Sequence, residues 1–165
     1  SVDPVVARLT PAGAMDSFGT AGIATYDLGG VEKTTSLVVL ADGKIVLGGT
    51  VDPSDGFLLK LDSLGVKDTS FGSGGSTKLA SNAVSALALD GSLNLVFAGK
   101  NSSGYFTLNR YLPNGTPDGS FLTQGTIAIA TVNPVAIVVR PDGRAVVLGS
   151  EVSSGEKLYL ARFWM

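Results

Sequence analysis

Short apolar runs separated by glycine, proline and acidic residues form the pattern of this chain. Many of the runs contain β-branched residues, as at residues 5–9 and 36–40, and others, such as residues 57–61, consist mainly of leucine and phenylalanine. Short runs of this composition, bounded by turn residues, favour strands over helices. The pattern therefore predicts an all-β protein with very little helix.

One hairpin template recurs three times. Each copy has an apolar run, an Asp-Gly pair and a second run that ends in glycine. The pairs are Asp42-Gly43, Asp90-Gly91 and Asp142-Gly143, and the closing glycines are Gly49, Gly99 and Gly149. An Asp-Gly pair tolerates positive φ, so each copy predicts a tight β-hairpin. The closing glycines predict a close approach of neighbouring backbones. The middle copy has two more residues than the others between its aspartate and its closing glycine.

Other elements recur at the same period. Basic residues recur every 50 to 52 residues, at Arg8, Lys60, Arg110 and Arg162. A period of about 50 residues with four short strands is typical of a β-propeller blade. We therefore predict a single repeat domain over residues 1–165, with repeats at about 5–56, 57–105 and 106–157 and a partial fourth at 158–165. If the four strands of each blade are numbered in chain order, the chain starts with a third and a fourth strand. Two complete blades follow, and the chain ends with the first three strands of another blade.

Three of these elements together resemble a known repeat. They are Leu-Ala-Arg-Phe at residues 160–163, Gly-x-x-Asp-x-x-Phe-Gly at 65–72, and Pro-Asp-Gly-Arg-x-Val-Val-x-Gly at 141–149. The composite resembles the delta-60 repeat of bacterial surface and secreted proteins, and the resemblance covers essentially the whole chain. It implies a β-propeller and a secreted or cell-surface location, and it brings no established catalytic residues. One departure is Phe121, which is followed by leucine where the other copies have glycine.

The number of blades raises the question of how the ring closes. Propellers usually have four to eight blades, whereas this chain has material for about three. We predict closure by oligomerisation, with a dimer that forms six blades as the favoured assembly. The first and last strands are equivalent third strands, so one of them is redundant at a joint. The alternative fold is a β-trefoil, which closes with three units in one chain, although the Gln-x-Trp signature of trefoil units is absent.

Composition excludes several kinds of chemistry. The chain has no cysteine and no histidine, so disulfides, thiolate metal sites, Ser-His-Asp triads and histidine-ligated zinc are impossible within it. Its formal net charge of -2 provides no basic field for nucleic acid. No apolar run is long enough to span a membrane. We expect no nucleic-acid partner, no membrane insertion, no cofactor and no metal site, and we expect that the protein is not an enzyme.

The repeated aspartates have two interpretations. Asp16, Asp68 and Asp118 each precede a phenylalanine in a long connection. They could bind calcium together with nearby carbonyls, but the favoured interpretation is that each carboxylate accepts hydrogen bonds from its own loop while the phenylalanine fills the core. The basic residues of the repeat are expected to pair with these aspartates or to lie along the sheet. The aspartates of the Asp-Gly pairs are expected to be turn residues without a catalytic role.

The segments that differ between repeats are the predicted binding loops. In a propeller, the loops after the second strands and those between blades share one face, and loops on rigid scaffolds carry function. The first set is residues 50–56, 100–105 and 150–157, and the second set is 27–36, 80–84 and 131–134. The predicted ligand-binding residues are Tyr105, Asn101, Asp52, Asp55, Glu151 and Asn133, with Tyr105 favoured for stacking on a sugar.

These observations favour a non-catalytic recognition or adhesion module of a bacterial surface or secreted protein. Its partner is expected to be a glycan or a protein surface that contacts the loop face, together with further copies of the same chain. Two alternatives remain open at the level of sequence. One is a structural spacer or tip domain of a larger fibre, and the other is a carboxylate-dependent hydrolase or lyase.

Overall fold

The computed structural model describes residues 2–51, 55–121, 126–128, 132–151 and 157–164. These residues form strands and turns without any helix, which confirms the all-β class. The strands are β1 (Val5–Ala7), β2 (Ile23–Thr25), β3 (Glu32–Val39), β4 (Ile45–Val51), β5 (Asp55–Leu61), β6 (Ser76–Leu79), β7 (Asn82–Leu89), β8 (Leu95–Asn101), β9 (Phe106–Tyr111), β10 (Thr126–Ala128), β11 (Val132–Val139), β12 (Arg144–Glu151) and β13 (Lys157–Trp164).

The strands form four separate antiparallel sheets. A half-blade contains β1 and β2, blade 1 contains β3 to β6, blade 2 contains β7 to β10, and blade 3 contains β11 to β13. Strands that are consecutive in sequence are neighbours in each sheet, and within the described residues no strand pairs with a strand of another sheet. These are β-propeller blades in the predicted order, so the β-trefoil alternative is wrong. Closure of a ring is not seen in the single chain.

The core lies between consecutive sheets. One cluster joins the half-blade to blade 1 through residues such as Phe18 and Leu47. A second joins blade 1 to blade 2 through Leu58 and Leu87, and a third joins blade 2 to blade 3 through Leu108. The second and third strands of blades 1 and 2 therefore bury both faces, as their nearly continuous apolar sequences require, whereas the first strand of blade 1 keeps Leu37 exposed.

The closing glycines lie opposite a β-bulge in every blade. The register shifts between Thr34 and Ser36, between Val84 and Ala86, and between Pro134 and Ala136. A β-carbon at Gly49 or Gly99 would overlap the carbonyl oxygen of the neighbouring strand, from Lys33 and Ala83 respectively. The predicted close approach of backbones at these glycines is confirmed.

The middle Asp-Gly pair does not occupy the predicted position in its turn. Gly43 and Gly143 adopt φ of 81° and 77° at the end of their turns, but in blade 2 this position is held by Leu93, with φ of 64°. Asp90 begins that turn, because its carbonyl accepts a hydrogen bond from the Leu93 amide at 3.0 Å. The two additional residues of the middle copy account for this shift. A left-handed conformation costs a residue with a β-carbon about 1–2 kcal/mol.

The first strand of each blade begins earlier than predicted. Residues 32–34, 82–84 and 132–134 were expected in loops, but they pair with the second strand beyond the bulge. Asn133 therefore lies in β11, opposite Ser150, and Asp55 likewise lies within β5. The bulge lets the ladder continue, since it absorbs one unpaired residue without ending the strand.

Candidate functional site

The blades present two opposite ends. Antiparallel order places the connections after first and third strands at one end and those after second and fourth strands at the other. We call the first end the turn face: it contains residues 10–22, 40–43, 62–75, 90–93, 112–121 and 140–143. We call the second end the loop face: it contains residues 27–31, 80–81 and 102–105. Of the predicted binding residues that the structure describes, Tyr105 lies on the loop face, and Asp55, Asn101 and Asn133 lie at the strand ends beside it.

Tyr105 and Asn101 form one compact unit of the loop face. The Asn101 side-chain oxygen accepts hydrogen bonds from the amides of Ser103, at 3.1 Å, and Tyr105, at 2.9 Å. The Asn101 amide in turn donates to the Tyr105 carbonyl, and Gly104 adopts the positive φ that closes this turn. The backbone of Tyr105 is therefore held in place, while its side chain is 48% exposed.

Asn133 and Asp55 make contacts between neighbouring elements of the loop face. Lys100 of blade 2 donates to the Asn133 side-chain oxygen of blade 3 at 2.5 Å. The Asp55 carboxylate accepts from the Ser81 amide at 2.8 Å and pairs with Lys78 at 3.2 Å. The Ser81 hydrogen bond, followed by the Lys78 contact, lowers the pKa of Asp55.

Strand pairing connects these contacts into a continuous series. Asn82 follows Ser81 and pairs with Asn101 across β7 and β8, and Asn101 follows Lys100. We call this series the polar row: it contains Asp55, Ser81, Asn82, Lys100, Asn101 and Asn133. The structure thus brings Asn101, Tyr105 and Asn133 into one region and joins Asp55 to it through the Ser81–Asn82 segment. Asp52 and the side chain of Glu151 lie outside the described residues.

On the turn face, the repeated aspartates stabilise their own connections. Asp16 pairs with Arg8 and Asp118 with Arg110, both at 2.7 Å, as predicted for the basic residues of the repeat. In blade 1 the pairing alternative does not hold, because Asp68 pairs with Lys44 at 2.9 Å, while Lys60 donates to the Pro113 carbonyl of blade 2. A lysine is a flexible point charge, and this one reaches the next blade instead.

Loop hydrogen bonds complete the environment of each aspartate. Asp16 accepts from the Ser17 amide, Asp68 from Ser70 and Asp118 from Ser120. The phenylalanines that follow, Phe18, Phe71 and Phe121, are buried in the core. This is the structural interpretation predicted for the repeated aspartates, whose oxygens are occupied by protein donors.

These contacts lower the pKa of the three repeated aspartates. For Asp68 the pKa falls to about 2, because the Ser70 hydroxyl and then the Lys44 ammonium stabilise the charged form. For Asp118 the largest cause is the hydrogen bond from the Ser120 hydroxyl. At neutral pH these groups are acceptors rather than proton donors, unlike the acid of a paired-carboxylate hydrolase.

The lowered pKa of Asp68 makes a prediction for stability. An unfolded aspartate has a pKa near 3.9, so the folded state gains stability from this carboxylate above about pH 4 and loses it as the pH falls toward 2. We expect Asp68→Asn to lower the free energy of unfolding by about 1–2 kcal/mol at neutral pH. The difference from the wild type should narrow below about pH 4 in urea unfolding. Asp42→Asn, with the same change of net charge, is the control, and a difference that does not vary with pH would contradict the prediction.

The turn face also contains backbone contacts that connect each blade to the next. The Gly19 amide donates to the Leu64 carbonyl of blade 1, and the Gly72 amide donates to the Asn114 carbonyl of blade 2. At both joints the phenylalanine ring packs against the turn glycine of the following blade, Gly65 or Gly115, closely enough that a β-carbon there would clash with it.

A polar cleft of about 430 Å³ lies on the turn face between blades 2 and 3. Its lining includes Asp90, Asn94, Arg110, Asp118 and Arg140. Sequence reasoning missed this cleft because it placed recognition on the opposite end. The signal was present in the repeated basic residue and aspartate, which were expected to pair but not to border a cavity.

Three carboxylates meet at another point, beside the half-blade. Asp3, Asp27 and Glu32 each place an oxygen within 4.8 Å of the other two. They come from the segments before β1, after β2 and at the start of β3. No motif of the sequence indicated this group, because its members belong to positions that do not repeat.

Fold and surfaces together define a β-propeller repeat protein. A family model described as "Domain of unknown function (DUF5122) beta-propeller" matches residues 40–71, which extend from the turn before β4 to Phe71. The match supports a β-propeller type of repeat. No curated protein matches the chain. Among the described residues there is no helix of the length and apolar character needed to cross a membrane.

Proposed function

We propose that this chain is a non-catalytic recognition module of a bacterial surface or secreted protein of the delta-60 type, which binds a glycan or a protein surface through its loop face. The observation that carries the proposal is the exposed Tyr105 side chain on a turn ordered by Asn101. A tyrosine offers a large amphipathic contact area at low cost in conformational entropy, and neighbouring amides supply hydrogen bonds.

The polar row supports this role. Asn101 and Asn133 already accept hydrogen bonds from protein donors, which orients their amide groups. Within the described residues neither side-chain nitrogen donates to a protein acceptor, so each amide keeps two donors for a ligand hydroxyl. The row continues from blade 1 to blade 3, so it offers polar contacts over a surface instead of within one deep pocket.

Two exposed apolar faces support completion of the ring by a second copy. In blades 2 and 3, Leu87 and Ile137 are buried against the preceding blade, but the equivalent Leu37 of blade 1 is 53% exposed. Conversely, Val38 and Ala88 pack against the following blade, while the equivalent Val138 of blade 3 is 58% exposed. A terminal face of this kind requires a cap or a partner.

These faces are the two halves of one contact. Blade 3 of one copy fits blade 1 of the next as blade 1 fits blade 2 within the chain. Two copies then supply six blades, a number within the usual range for propellers. Because β1 and β13 are both third strands, one of them is displaced at the joint or pairs at the outer edge. The loop face becomes a continuous ring only in this assembly.

The recognition role is tested by binding to a glycan array. We expect the wild type to bind a defined set of glycans and Tyr105→Ala to lose at least about tenfold in affinity, which corresponds to the loss of roughly 1.4 kcal/mol. Tyr105→Phe keeps the ring and is the matched variant for stacking. Leu64→Ala, on the turn face, is the control.

Absence of glycan binding by the assembled wild type, together with absence of binding to candidate protein ligands, would contradict the proposal. It would favour the structural spacer, for which the same exposed end faces are suited to stacking in an open array.

A further inference from the structure

We propose a calcium site at the carboxylates of Asp3, Asp27 and Glu32, on the loop face between the half-blade and blade 1. The site is independent of the proposed recognition role. It would join the half-blade to the first complete blade through a bound ion.

Backbone contacts hold the three segments together. The Glu32 amide donates to the Val2 carbonyl at 2.8 Å, and the Tyr26 amide donates to the Pro4 carbonyl at 3.0 Å. Val2 and Pro4 flank Asp3, so these bonds hold Asp3 beside the end of β2 and the start of β3. One Asp27 oxygen accepts from the Gly29 amide at 2.7 Å, which orients that carboxylate. The convergence of the carboxylates therefore follows from the fold of the backbone.

Glu32 supplies a second, independent observation. Its side chain is buried, with 1% of the residue exposed, and neither carboxylate oxygen has a hydrogen-bond partner in the part of the chain that the structure describes. Oδ1 of Asp3 is also buried without a partner. Among the described residues no lysine or arginine forms an ion pair with these three acids, and Lys67 donates to the Asp27 backbone carbonyl instead. A buried carboxyl group requires either a proton or a compensating cation, and a cation would serve Asp3 and Asp27 as well as Glu32.

The repeats show that the fold does not require an acid at this position. Strand register makes Asn82 of blade 2 and Val132 of blade 3 equivalent to Glu32, since each is the first paired residue of its blade. Val132 is buried like Glu32. An apolar residue thus satisfies the blade, and the acid in blade 1 has a role that the other blades lack.

The donor set indicates the class of ion. The three groups are carboxylates, and the chain has no cysteine or histidine, so a hard cation is favoured. Calcium binds oxygens at about 2.3–2.6 Å, so two of its ligands lie at most about 5 Å apart, in agreement with the 4.8 Å limit of the cluster. Magnesium demands a shorter, nearly ideal octahedron and keeps several waters. Calcium, which accepts longer bonds and a more variable geometry, therefore fits this group of acids better.

Calorimetric titration of the chelator-treated chain with calcium chloride tests the site. We expect saturable binding with a dissociation constant of about 10⁻⁴–10⁻³ M, as in extracellular calcium modules. At a calcium concentration about 100-fold above that constant, the melting temperature should rise by roughly 5 °C or more.

Two variants make the assignment specific. Glu32→Val introduces the residue that blade 3 has at this position. Without calcium, this variant should melt at or above the wild-type temperature, and adding calcium should not raise its melting temperature further. Asp27→Asn changes an exposed residue and should lose the calcium heat while retaining the fold. Asp16→Asn, outside the cluster, should respond as the wild type does.

A wild type that shows neither heat nor a melting shift with calcium would overturn the proposal. So would a calcium response that Asp27→Asn and Glu32→Val both retain. Magnesium chloride at the same concentration measures general charge screening, and an equal melting shift with magnesium would also count against a calcium site.

Discussion

Gly99→Ala is expected to lower the free energy of unfolding by about 3 kcal/mol or more, enough to threaten the fold of a marginally stable domain. A β-carbon at residue 99 would overlap the Ala83 carbonyl oxygen, which belongs to the neighbouring strand and cannot rotate away like a side chain. Relief requires opening the β7–β8 ladder at its bulge, between blades that pack on both faces. Urea unfolding followed by far-UV circular dichroism measures the loss.

The other glycines provide graded controls for this prediction. Gly91 lies in the same blade as Gly99, in the turn between β7 and β8. A β-carbon at Gly91 meets no atom within 4 Å, so Gly91→Ala should change the free energy of unfolding little. At Gly149 the added atom would lie 2.7 Å from the Asn133 carbonyl oxygen, and the cost should be intermediate. A Gly99→Ala protein as stable as Gly91→Ala would contradict the close approach of strands.

The second large effect concerns assembly. We expect the wild type to have a solution mass of twice 16.8 kDa and Val138→Glu to be a monomer at the same concentration, because a carboxylate at this position would be buried against blade 1 of the other copy. Leu37→Glu, on the complementary face, should have the same effect. Burying an unpaired charge at an interface costs several kcal/mol. Light scattering after size-exclusion chromatography, over a range of concentrations, measures the mass.

The control for assembly is Leu64→Glu, which places the same charge on an exposed residue of the turn face. It should leave the mass unchanged. A wild type that is monomeric at tens of micromolar would contradict closure by a second copy, and a mass that rises without limit would indicate open stacking of blades instead of a ring.

Local patterns predicted the blades because their signals are local. The Asp42-Gly43 and Asp142-Gly143 turns, the closing glycines and the buried phenylalanines each act within one repeat and recur in the next. Leu93 shows where such reasoning fails. Two additional residues moved the turn, and the choice between a glycine and a leucine at the left-handed position depended on the register of β7 and β8.

The candidate sites were harder to predict because they join different repeats. Tyr105 and Asn101 were predicted as binding residues from loop composition, and the turn that contains them is a short-range feature. The contact of Lys100 with Asn133 and the polar cleft near Arg110 depend on how neighbouring blades are placed. Asp68 pairs with Lys44 instead of Lys60. This choice depends on the reach of flexible side chains across a sheet, which the sequence period does not encode.

The sequence by itself determined an all-β chain of propeller blades that begins and ends at a third strand, since short apolar runs, turn glycines and a period near 50 residues act through local backbone preferences. Only the tertiary structure decided which residues meet across blades. It placed Asp3, Asp27 and Glu32 together, and it left Leu37 exposed on blade 1 and Val138 exposed on blade 3. Convergence of groups from separate segments depends on packing and register, and these are properties of the assembled sheets.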